Sequence, residues 1–364
     1  MQRKCEVLIV GGGVIGLTTA YFLAKDGAQV ILCEQGHTGM ESSWAGAGIL
    51  PPSDVDHAQY PLDRLRALSG AIFPELSSEL QLRTGIDNGF LRCGGLEFHS
   101  QVGDADADEW YGLGTETTRL SEAAARALET ALAPAMGEVL HVPGMAQLRN
   151  PRHLQALRRA CLDTNRVAIH EDTQVQSLVM ESGRVKGVNT ANELLSGDRV
   201  LLAAGAWTDR QLEPLGQKLR IRPVRGQIAL LNPGKAIFRH ILIWGSRYLV
   251  PRADGRVLVG STEEDVGFEK TTTAAGIGGL LALGLKLVPC LAGAAVEKTW
   301  AGLRPGSPDG LPFIGPVPGI ENLYVAAGHF RAGIQLSPGT ALVMKQMLLG
   351  QPLALPMDAF RLDR

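Results

Sequence analysis

Hydrophobic positions at the start of the chain predict a strand, a helix and a second strand. Residues 5–10 form a nearly continuous apolar run rich in β-branched side chains, as expected of a parallel strand buried on both faces. Apolar and small residues then fill most positions from Val14 to Lys25, and Gly27 follows as a C-terminal cap. Residues 29–33 predict the second strand.

Two later apolar runs also end in glycine. Residues 199–204 run into Gly205, Ala206 and Trp207, and residues 322–328 precede a helical stretch that we expect to begin after Pro338 and Gly339. We interpret both runs as strands that return to the first sheet. One sheet is thus predicted from distant pieces of the chain.

Alternating or β-rich segments lie between these pieces. They predict a large, mainly antiparallel sheet in a second lobe, and they comprise residues 90–99, 175–180, 184–190, 221–231, 247–251 and 256–262. Asp254-Gly255 and Ser182-Gly183 supply turns between neighbouring runs.

Two helices are predicted from their ends. Asn150 is a good cap and Pro151 a good first residue for a helix that runs to about residue 165. Residues 61–83 also have a helical pattern, which we expect Pro74 to break.

The first turn carries the residues that bind a dinucleotide. Gly11, Gly13 and Gly16 form G-x-G-x-x-G, which supplies a tight turn, close approach to a pyrophosphate and close packing of helix on strand. Glu34 ends the second strand, where a carboxylate accepts hydrogen bonds from ribose hydroxyls. A glycine-rich turn between core elements would leave Glu34 unexplained.

Composition narrows the partners and the compartment. The 364 residues include 35 Lys and Arg against 37 Asp and Glu, a net charge of −2 without long charge runs. This balance argues against nucleic acid or an anionic membrane as partner and favours a small molecule. Outside the glycine-interrupted start there is no apolar run of about 18 residues, so we expect a cytoplasmic protein without stable membrane association.

Cysteine and histidine patterns predict no metal site. The five cysteines are widely scattered and never form a C-x-x-C pair, which fits neither a disulfide framework nor zinc, so we interpret them as buried thiols. The eight histidines show no ligand spacing.

The glycine motif alone leaves FAD and a nicotinamide open, because both present the same ADP half. Residues 42–48 are rich in small residues and hydroxyls, which suits either close approach to phosphates or a flavin, or an ordinary flexible loop. The dispersed strands favour FAD, since a simple nicotinamide dehydrogenase more often keeps its strands together.

Four motifs together resemble the D-amino acid oxidase superfamily of FAD-dependent amine oxidoreductases. They are VLIVGGGVIG at residues 7–16, ESSWAGAGIL at 41–50, WAGLRPGSPDGLPFIG at 300–315 and AAGHFRAGI at 326–334. The resemblance covers essentially the whole chain and is closest to the bacterial glycine oxidases of thiamine biosynthesis.

The resemblance implies an α/β and α+β fold in two lobes. A discontinuous Rossmann-type FAD-binding domain would comprise residues 1–85, 145–220 and 305–364. It would interleave with a substrate domain of residues 86–144 and 221–304, built on a large, mainly antiparallel sheet. A homotetramer is the implied assembly.

The resemblance also implies noncovalent FAD, because residues 300–334 lack the cysteine by which related sarcosine oxidases attach flavin. The implied cofactor-binding residues are Gly11, Gly13, Val14, Ile15, Gly16, Glu34, Gln35, Ser42, Ser43, Ala47, Gly48, Ile49, Val175, Gly205, Trp207, His329, Phe330, Arg331, Ala332, Gly333, Ile334 and Gln335.

The resemblance assigns Arg304, in the GLRPG turn, to the carboxylate of an amino acid substrate. A guanidinium fork matches both oxygens and stays charged. Tyr248 and Arg331 would lie beside substrate and flavin. Ile49, Ser246 and Glu263 would line the pocket, and the last two depart from the usual pattern. For Glu263, an ammonium contact, a different amine or exposure to solvent stay open.

The implied reaction is hydride transfer from glycine, sarcosine or a small D-amino acid to FAD. It gives an imine or 2-oxo acid, ammonia and, with O2, hydrogen peroxide. The sequence contains no recognisable nucleophile or carboxylate pair, which agrees with a reaction that the cofactor performs. A D-amino acid dehydrogenase that passes electrons to a quinone or carrier is the open alternative.

Overall fold

The structure, a computed structural model of the chain, describes residues 3–98 and 115–364. Its α-helices are α1 (Val14–Lys25), α2 (Ser42–Ala45), α3 (Pro61–Thr84), α4 (Glu122–Leu128), α5 (Asn150–Asp163), α6 (Thr208–Leu212), α7 (Ala274–Leu287) and α8 (Gly333–Leu349). Short 3-10 helices span Gly205–Trp207, Glu213–Leu215, Pro289–Gly293, Phe330–Ala332 and Asp358–Phe360.

The strands fall into three sheets. They are β1 (Arg3–Val10), β2 (Val30–Cys33), β3 (Ile49–Leu50), β4 (Leu91–Arg92), β5 (Gly95–Phe98), β6 (Thr118–Leu120), β7 (Val139–Val142), β8 (Ala146–Gln147), β9 (Val167–His170), β10 (Ser177–Glu181), β11 (Arg184–Asn189), β12 (Leu194–Leu202), β13 (Arg222–Asn232), β14 (Ile241–Trp244), β15 (Arg247–Pro251), β16 (Val257–Gly260), β17 (Ala295–Gly306), β18 (Phe313–Pro316) and β19 (Leu323–Ala327).

The first sheet has a parallel centre. β1 pairs in parallel with β2 and β12, β2 with β9, and β12 with β19. Residues 7–10 of β1 and all of β2 are buried, as the continuous apolar runs predict. The carboxyl ends of these strands share one edge, which brings Gly11, Glu34, Ala203 and Gly328 together.

Helices α1, α3, α5 and α8 pack together against one face of this sheet. Their buried contacts include Leu17 and Tyr21 of α1, Leu65 of α3, Leu157 of α5 and Met344 of α8, each at most 1% exposed. This apolar layer holds the glycine turn in place.

The second sheet has the order β17-β13-β16-β15-β14-β5-β7-β6 and is antiparallel except between β14 and β5. Helix α7 covers one face, where Leu280 and Leu283 pack with Leu231 and Val259. On β13, Ile228 instead packs with Ala47 on the other face, towards the first lobe. Because side chains alternate along each strand, one set packs in the core under α7 and the other set faces the first lobe.

Two predicted strands were assigned to the wrong sheet. The runs at residues 175–180 and 184–190 form β10 and β11, and β11 pairs with β12 at the edge of the first sheet. Alternation reports one buried face but not which sheet supplies the neighbour. The run at 90–99 forms β4 and β5, and residue 99 lies outside the described residues.

Both helix boundaries that rested on an internal proline were wrong. Helix α3 continues through Pro74, because the carbonyl that loses its bond belongs to the exposed Gly70. Helix α8 begins at Gly333 and contains Pro338. There the hydroxyl of Ser337 donates to the orphaned carbonyl of Ile334 at 2.8 Å.

The domain division stays a prediction. The second sheet draws its strands from residues 95–142 and 222–306, so β17 runs two residues beyond the boundary at 304. Among the described helices, none combines the length and apolar character required to cross a bilayer. The described residues contain no group of three or more side chains that could bind a metal ion. Cys5, Cys33 and Cys161 are buried and Cys93 half-buried, but Cys290 is exposed, contrary to expectation.

Candidate active site

A cavity of about 430 Å³ lies between the two large sheets and brings most of the candidate residues together. Its lining includes Gly11, Gly13, Val14, Ile15, Glu34, Gln35, Ser42, Ser43, Ala47, Gly48, Ile49, Val175, Gly205, Trp207, Ser246, Tyr248, Arg304, His329, Phe330, Arg331, Ala332, Gly333, Ile334 and Gln335. Two predicted residues, Gly16 and Glu263, lie outside this lining.

The glycine turn leaves no space for side chains. Gly11 has a left-handed φ of +113°, and a Cβ there would lie 2.3 Å from the carbonyl oxygen of Ala203. A Cβ on Gly16 would lie 2.0 Å from the carbonyl oxygen of Gly11. Gly16 therefore allows α1 to approach the turn closely, whereas Gly11 and Gly13 line the cavity.

Glu34 supplies a buried carboxylate at the end of β2. It accepts hydrogen bonds from the backbone N–H of Gly12 at 2.8 Å and of Gly36 at 3.1 Å. Burial raises the pKa of Glu34 above its ordinary value, and these hydrogen bonds oppose the rise. The second lone pairs of both oxygens remain available for ribose hydroxyls.

Gln211 is a further residue at this end of the cavity. Its side-chain amide donates to the carbonyl oxygen of Val175 at 2.9 Å, and both residues line the cavity. The backbone of Val175, predicted to contact adenine, is therefore held by a side chain from α6. No sequence motif pointed to Gln211.

The segment 42–48 is tied down rather than flexible. The amide of Asn150 donates to the carbonyl of Ser43 at 2.8 Å, and the hydroxyl of Ser43 accepts from the N–H of Val14 at 3.0 Å. Asn150 thus holds this segment and does not cap α5, because its side chain is turned into the cavity wall. That corrects the predicted role of Asn150 as a cap.

A buried arginine supports the other end of this segment. Arg252 donates to the carbonyl oxygens of Ala47 at 2.7 Å and Leu148 at 2.9 Å, and to the side-chain carbonyl of Gln147 at 2.8 Å. Burial lowers the pKa of Arg252 to about 10. Sequence reasoning missed this residue, since a lone arginine is usually a surface charge.

The segment after β19 closes the opposite side of the cavity. His329 is buried, its Nε2 lies 3.1 Å from the hydroxyl of Thr340, and burial lowers its pKa to about 3. It is therefore neutral at physiological pH. Gln335 donates to the carbonyl of Pro51 at 3.0 Å, which joins this segment to the chain after β3.

Arg304 projects from β17 into the cavity. Its guanidinium donates to the carbonyl of Thr262 at 3.1 Å and to the hydroxyl of Ser261 at 2.6 Å, both uncharged acceptors. Burial lowers the pKa of Arg304, and Tyr248 opposes the shift. A guanidinium stays protonated under such shifts, so the cavity contains a partly desolvated positive charge.

Glycines inside the strands make room for these side chains. A Cβ on Gly226 of β13 would lie 2.1 Å from Nη2 of Arg304, and a Cβ on Gly260 would lie within 2.7 Å of the Tyr248 ring. Glycine within a strand signals such close approach. Glycines within these strands are therefore the sequence signal for the positions of the Arg304 and Tyr248 side chains.

Arg331 and Glu263 form an ion pair beside the cavity. Arg331 lines the cavity, and burial lowers its pKa, which Tyr248 opposes. Glu263 is turned towards Arg331 rather than towards the cavity. Ser246 lies at the exposed turn between β14 and β15.

These features match the requirements of FAD. The glycine turn admits a pyrophosphate, Glu34 offers acceptors for the ribose, and the cavity continues past the segment 42–48 to Arg304 and Tyr248. A nicotinamide dehydrogenase does not require the segment 329–335 to close the far side. The arrangement could hold a two-electron cofactor next to a guanidinium that could bind a small anion.

Comparisons with known proteins agree with this description. The family described as FAD dependent oxidoreductase, DAO, matches residues 6–347. The glycine oxidase of Pseudomonas putida is 40% identical over 348 residues, which are 95% of this chain and 94% of that protein. The bifunctional protein ThiO/ThiG of Synechocystis is 33% identical over 378 residues, which cover 100% of this chain and 54% of that protein.

A solved structure has the same fold. The crystal structure of glycine oxidase from Geobacillus kaustophilus superposes with a TM-score of 0.93 at 31% identity, and covers 100% of this chain and 99% of that one. FAD is therefore the cofactor, and the protein is an FAD-dependent amino acid oxidase. The chain belongs to the DAO family of FAD-dependent oxidoreductases.

Proposed function

We propose that this enzyme oxidises glycine, or a similarly small amine such as sarcosine or a small D-amino acid, to its imine. O2 is the electron acceptor and hydrogen peroxide the second product. When released, the imine hydrolyses to the 2-oxo acid and ammonia, or to glyoxylate and methylamine when sarcosine is the substrate. The observation that carries the proposal is Arg304, a half-buried guanidinium whose hydrogen-bond partners Thr262 and Ser261 are uncharged, in the cavity that would receive the cofactor.

Arg304 binds the substrate carboxylate in this proposal. A planar guanidinium holds both oxygens and so fixes the orientation of the α-carbon. The carbonyl of Thr262 and the hydroxyl of Ser261 preset the fork before substrate arrives. Orientation is the main contribution that the chain makes to this reaction.

Tyr248 and Ile49 limit the space around the substrate. The ring of Tyr248 packs against Gly260, and its hydroxyl interacts with Arg304. Ile49 lines the same cavity. A small α-substituent suits this arrangement better than a long one.

FAD, held without a covalent bond, supplies the acceptor for the electron pair of the substrate C–H bond. The glycine turn, Glu34 and the segment 42–48 would hold FAD through backbone N–H groups and carboxylate oxygens. Neutral His329 adds no charge to the wall beside the ring. We propose that the other candidate residues of the lining also contact FAD or substrate, and their position in the cavity supports this.

A place in thiamine thiazole biosynthesis belongs to the same proposal. A relative that carries ThiO and ThiG in one chain supports it, because an imine that hydrolyses quickly is best used near its source. We also propose that the enzyme is cytoplasmic and forms a homotetramer. Size-exclusion chromatography with light scattering tests the oligomeric state.

The decisive experiment is anaerobic. The purified enzyme is mixed with glycine, sarcosine and D-alanine, and the loss of the visible absorbance of oxidised flavin is followed. We expect glycine or sarcosine to bleach the flavin, and air to restore it with release of peroxide. Bleaching that only a quinone reverses would identify a dehydrogenase instead.

The variant Arg304→Met tests the proposed role of Arg304. It keeps an unbranched chain of similar length but removes the charge, and we expect kcat/KM for glycine to fall roughly a thousand-fold. FAD binding should be retained. A variant that oxidises glycine normally would contradict the proposed role of Arg304.

A further inference from the structure

Two guanidinium groups of the cavity differ in their partners. Arg304 donates to uncharged acceptors, whereas Arg331 is paired with the carboxylate of Glu263. Both lie close enough to Tyr248 for that phenol to affect their pKa values. The two cations therefore occupy the same part of the cavity.

Glu263 reaches Arg331 from outside the cavity. It lies on the segment that follows β16, three residues after Gly260, and it is absent from the cavity lining. Its carboxylate balances the charge of Arg331 without occupying substrate space. Among the described residues, Arg304 has no carboxylate partner, so its guanidinium is the unbalanced one of the two.

The pair is accessible and its loss should not unfold the chain. The side chains of Arg331 and Glu263 are 40% and 44% exposed, and such pairs contribute little to stability. Their effect on a bound anion is larger, because a substrate carboxylate competes for the same donors as a carboxylate tethered beside them.

We propose that Glu263 determines substrate specificity by occupying Arg331, and that this excludes amines with a second carboxylate. Without Glu263, Arg331 provides a second carboxylate site in the same cavity as Arg304. The class then admitted is N-carboxymethyl amines such as iminodiacetate. The inference rests on the proposed function for the role of Arg304, and the reaction itself is unchanged.

Binding of ligands that cannot be oxidised tests this directly. Glycolate carries one carboxylate, and diglycolate carries two with an ether oxygen in place of the amine. Their dissociation constants are measured on the FAD-loaded enzyme from the perturbation of the flavin spectrum. The quantity compared is the ratio of the diglycolate to the glycolate constant.

In Glu263→Gln we expect this ratio to fall by about ten-fold in favour of diglycolate. The double variant Glu263→Gln/Arg331→Met should lose that gain. Asp265→Asn is the matched control, since Asp265 lies on the same segment and pairs at 3.3 Å with Arg222, outside the lining. Its ratio should stay within about two-fold of the wild-type value. Arg247 also lines the cavity. Because it is present in every variant, its contribution to the ratio is the same in each and does not affect the comparison.

A kinetic experiment separates this role from a structural one. With iminodiacetate, Glu263→Gln should lower the concentration that gives half-maximal flavin reduction by about ten-fold, and change the limiting rate much less. Glu263→Asp should restore the wild-type preference. Equal ratios in Glu263→Gln and Asp265→Asn, or a gain that survives in the double variant, would overturn the inference.

The proposed function fails separately. Wild-type enzyme that glycine, sarcosine and D-alanine all leave oxidised would reject it, whereas the diglycolate comparison requires no turnover. That comparison therefore decides on Glu263 in either case.

Discussion

The two ends of the cavity are built by different means. At the end proposed for adenosine, Gly11, Gly13 and Glu34 come from one strand-helix-strand unit at the start of the chain. At the end proposed for substrate, Tyr248, Arg304 and Arg331 come from β15, β17 and the segment after β19. The first end is local in sequence, and the second is assembled from distant strands.

The difference explains which contacts a motif can encode. The end proposed for adenosine would bind through backbone N–H groups at a helix N-terminus, whose positions follow from the turn itself. The end proposed for substrate would bind through long side chains, whose positions depend on the strands beside them. Gly226 and Gly260 are the clearest examples, since each leaves space that a functional side chain occupies.

The largest effect should come from the turn. In Gly11→Ala, the Cβ meets the backbone oxygen of Ala203, which cannot move aside as a side chain can. Strain of about 1–3 kcal/mol and lost phosphate contacts should weaken FAD binding by roughly a thousand-fold, as measured by titrating apoprotein with FAD.

Gly27→Ala is the matched control for Gly11→Ala. It has a similar positive φ of +94°, but within the described part of the chain no atom lies within 4 Å of the added Cβ. Equal loss of FAD in both variants would attribute the effect to backbone strain and not to the cofactor site.

Gly226→Ala should instead spare the cofactor and damage substrate binding. Its Cβ would lie 2.1 Å from Nη2 of Arg304, the movable end of a side chain, so the guanidinium shifts while the strand persists. We expect kcat/KM for glycine to fall about a hundred-fold with FAD still bound.

Gly284→Ala is the control for Gly226→Ala. Gly284 lies on α7, which covers the opposite face of the same sheet, and its added Cβ would lie at an ordinary 3.6 Å from Val259. It should retain near-normal kcat/KM. Loss of FAD in Gly226→Ala would show that the two ends are not separable.

The buried His153 should make folding pH-dependent outside the cavity. Its pKa is lowered from 6.5 to about 4 by burial, so below pH 6.5 the unfolded chain binds a proton that the folded chain rejects. Stability from this group is therefore lost as pH falls from about 6.5 towards 4, by roughly 2 kcal/mol at pH 5.

Urea unfolding at pH 7 and pH 5 measures this loss in wild type and in His153→Gln. The glutamine keeps an acceptor for Asn88, which donates to Nδ1 of His153 at 3.1 Å. Wild type should lose more stability than the variant over this interval. Parallel losses would show that His153 is not the responsible group.

The smallest effect concerns a contact that joins the two lobes. Phe268 packs against Trp207, with ring centroids 5.4 Å apart, and lies under the guanidinium of Arg210 at 4.4 Å. Both partners line the cavity. Phe268→Ala should weaken FAD binding roughly five-fold, as measured by FAD titration.

Val266→Ala removes an apolar side chain from the same segment and serves as its control. Val266 lies outside the cavity lining and has no aromatic ring to pack against Trp207 or Arg210, so its truncation should change FAD binding little. An equal effect from both variants would point to the segment as a whole and not to the aromatic contact.

The sequence by itself determined the strand-helix-strand unit, the cofactor class and most lining residues. Continuous apolar runs identify buried parallel strands, and a glycine turn can bind a pyrophosphate only in that context. The four motifs extended this to Arg304 and to the segment 329–335. These features depend on neighbours in the chain or on whole motifs.

The tertiary structure alone decided how side chains from distant strands meet. It placed β10 and β11 in the first sheet, turned Asn150 towards Ser43, and paired Glu263 with Arg331. Periodicity states that one face of an element is buried, but not what covers it. Hydrogen bonds and ion pairs between residues more than 60 positions apart follow from that packing, so only the folded chain reveals them.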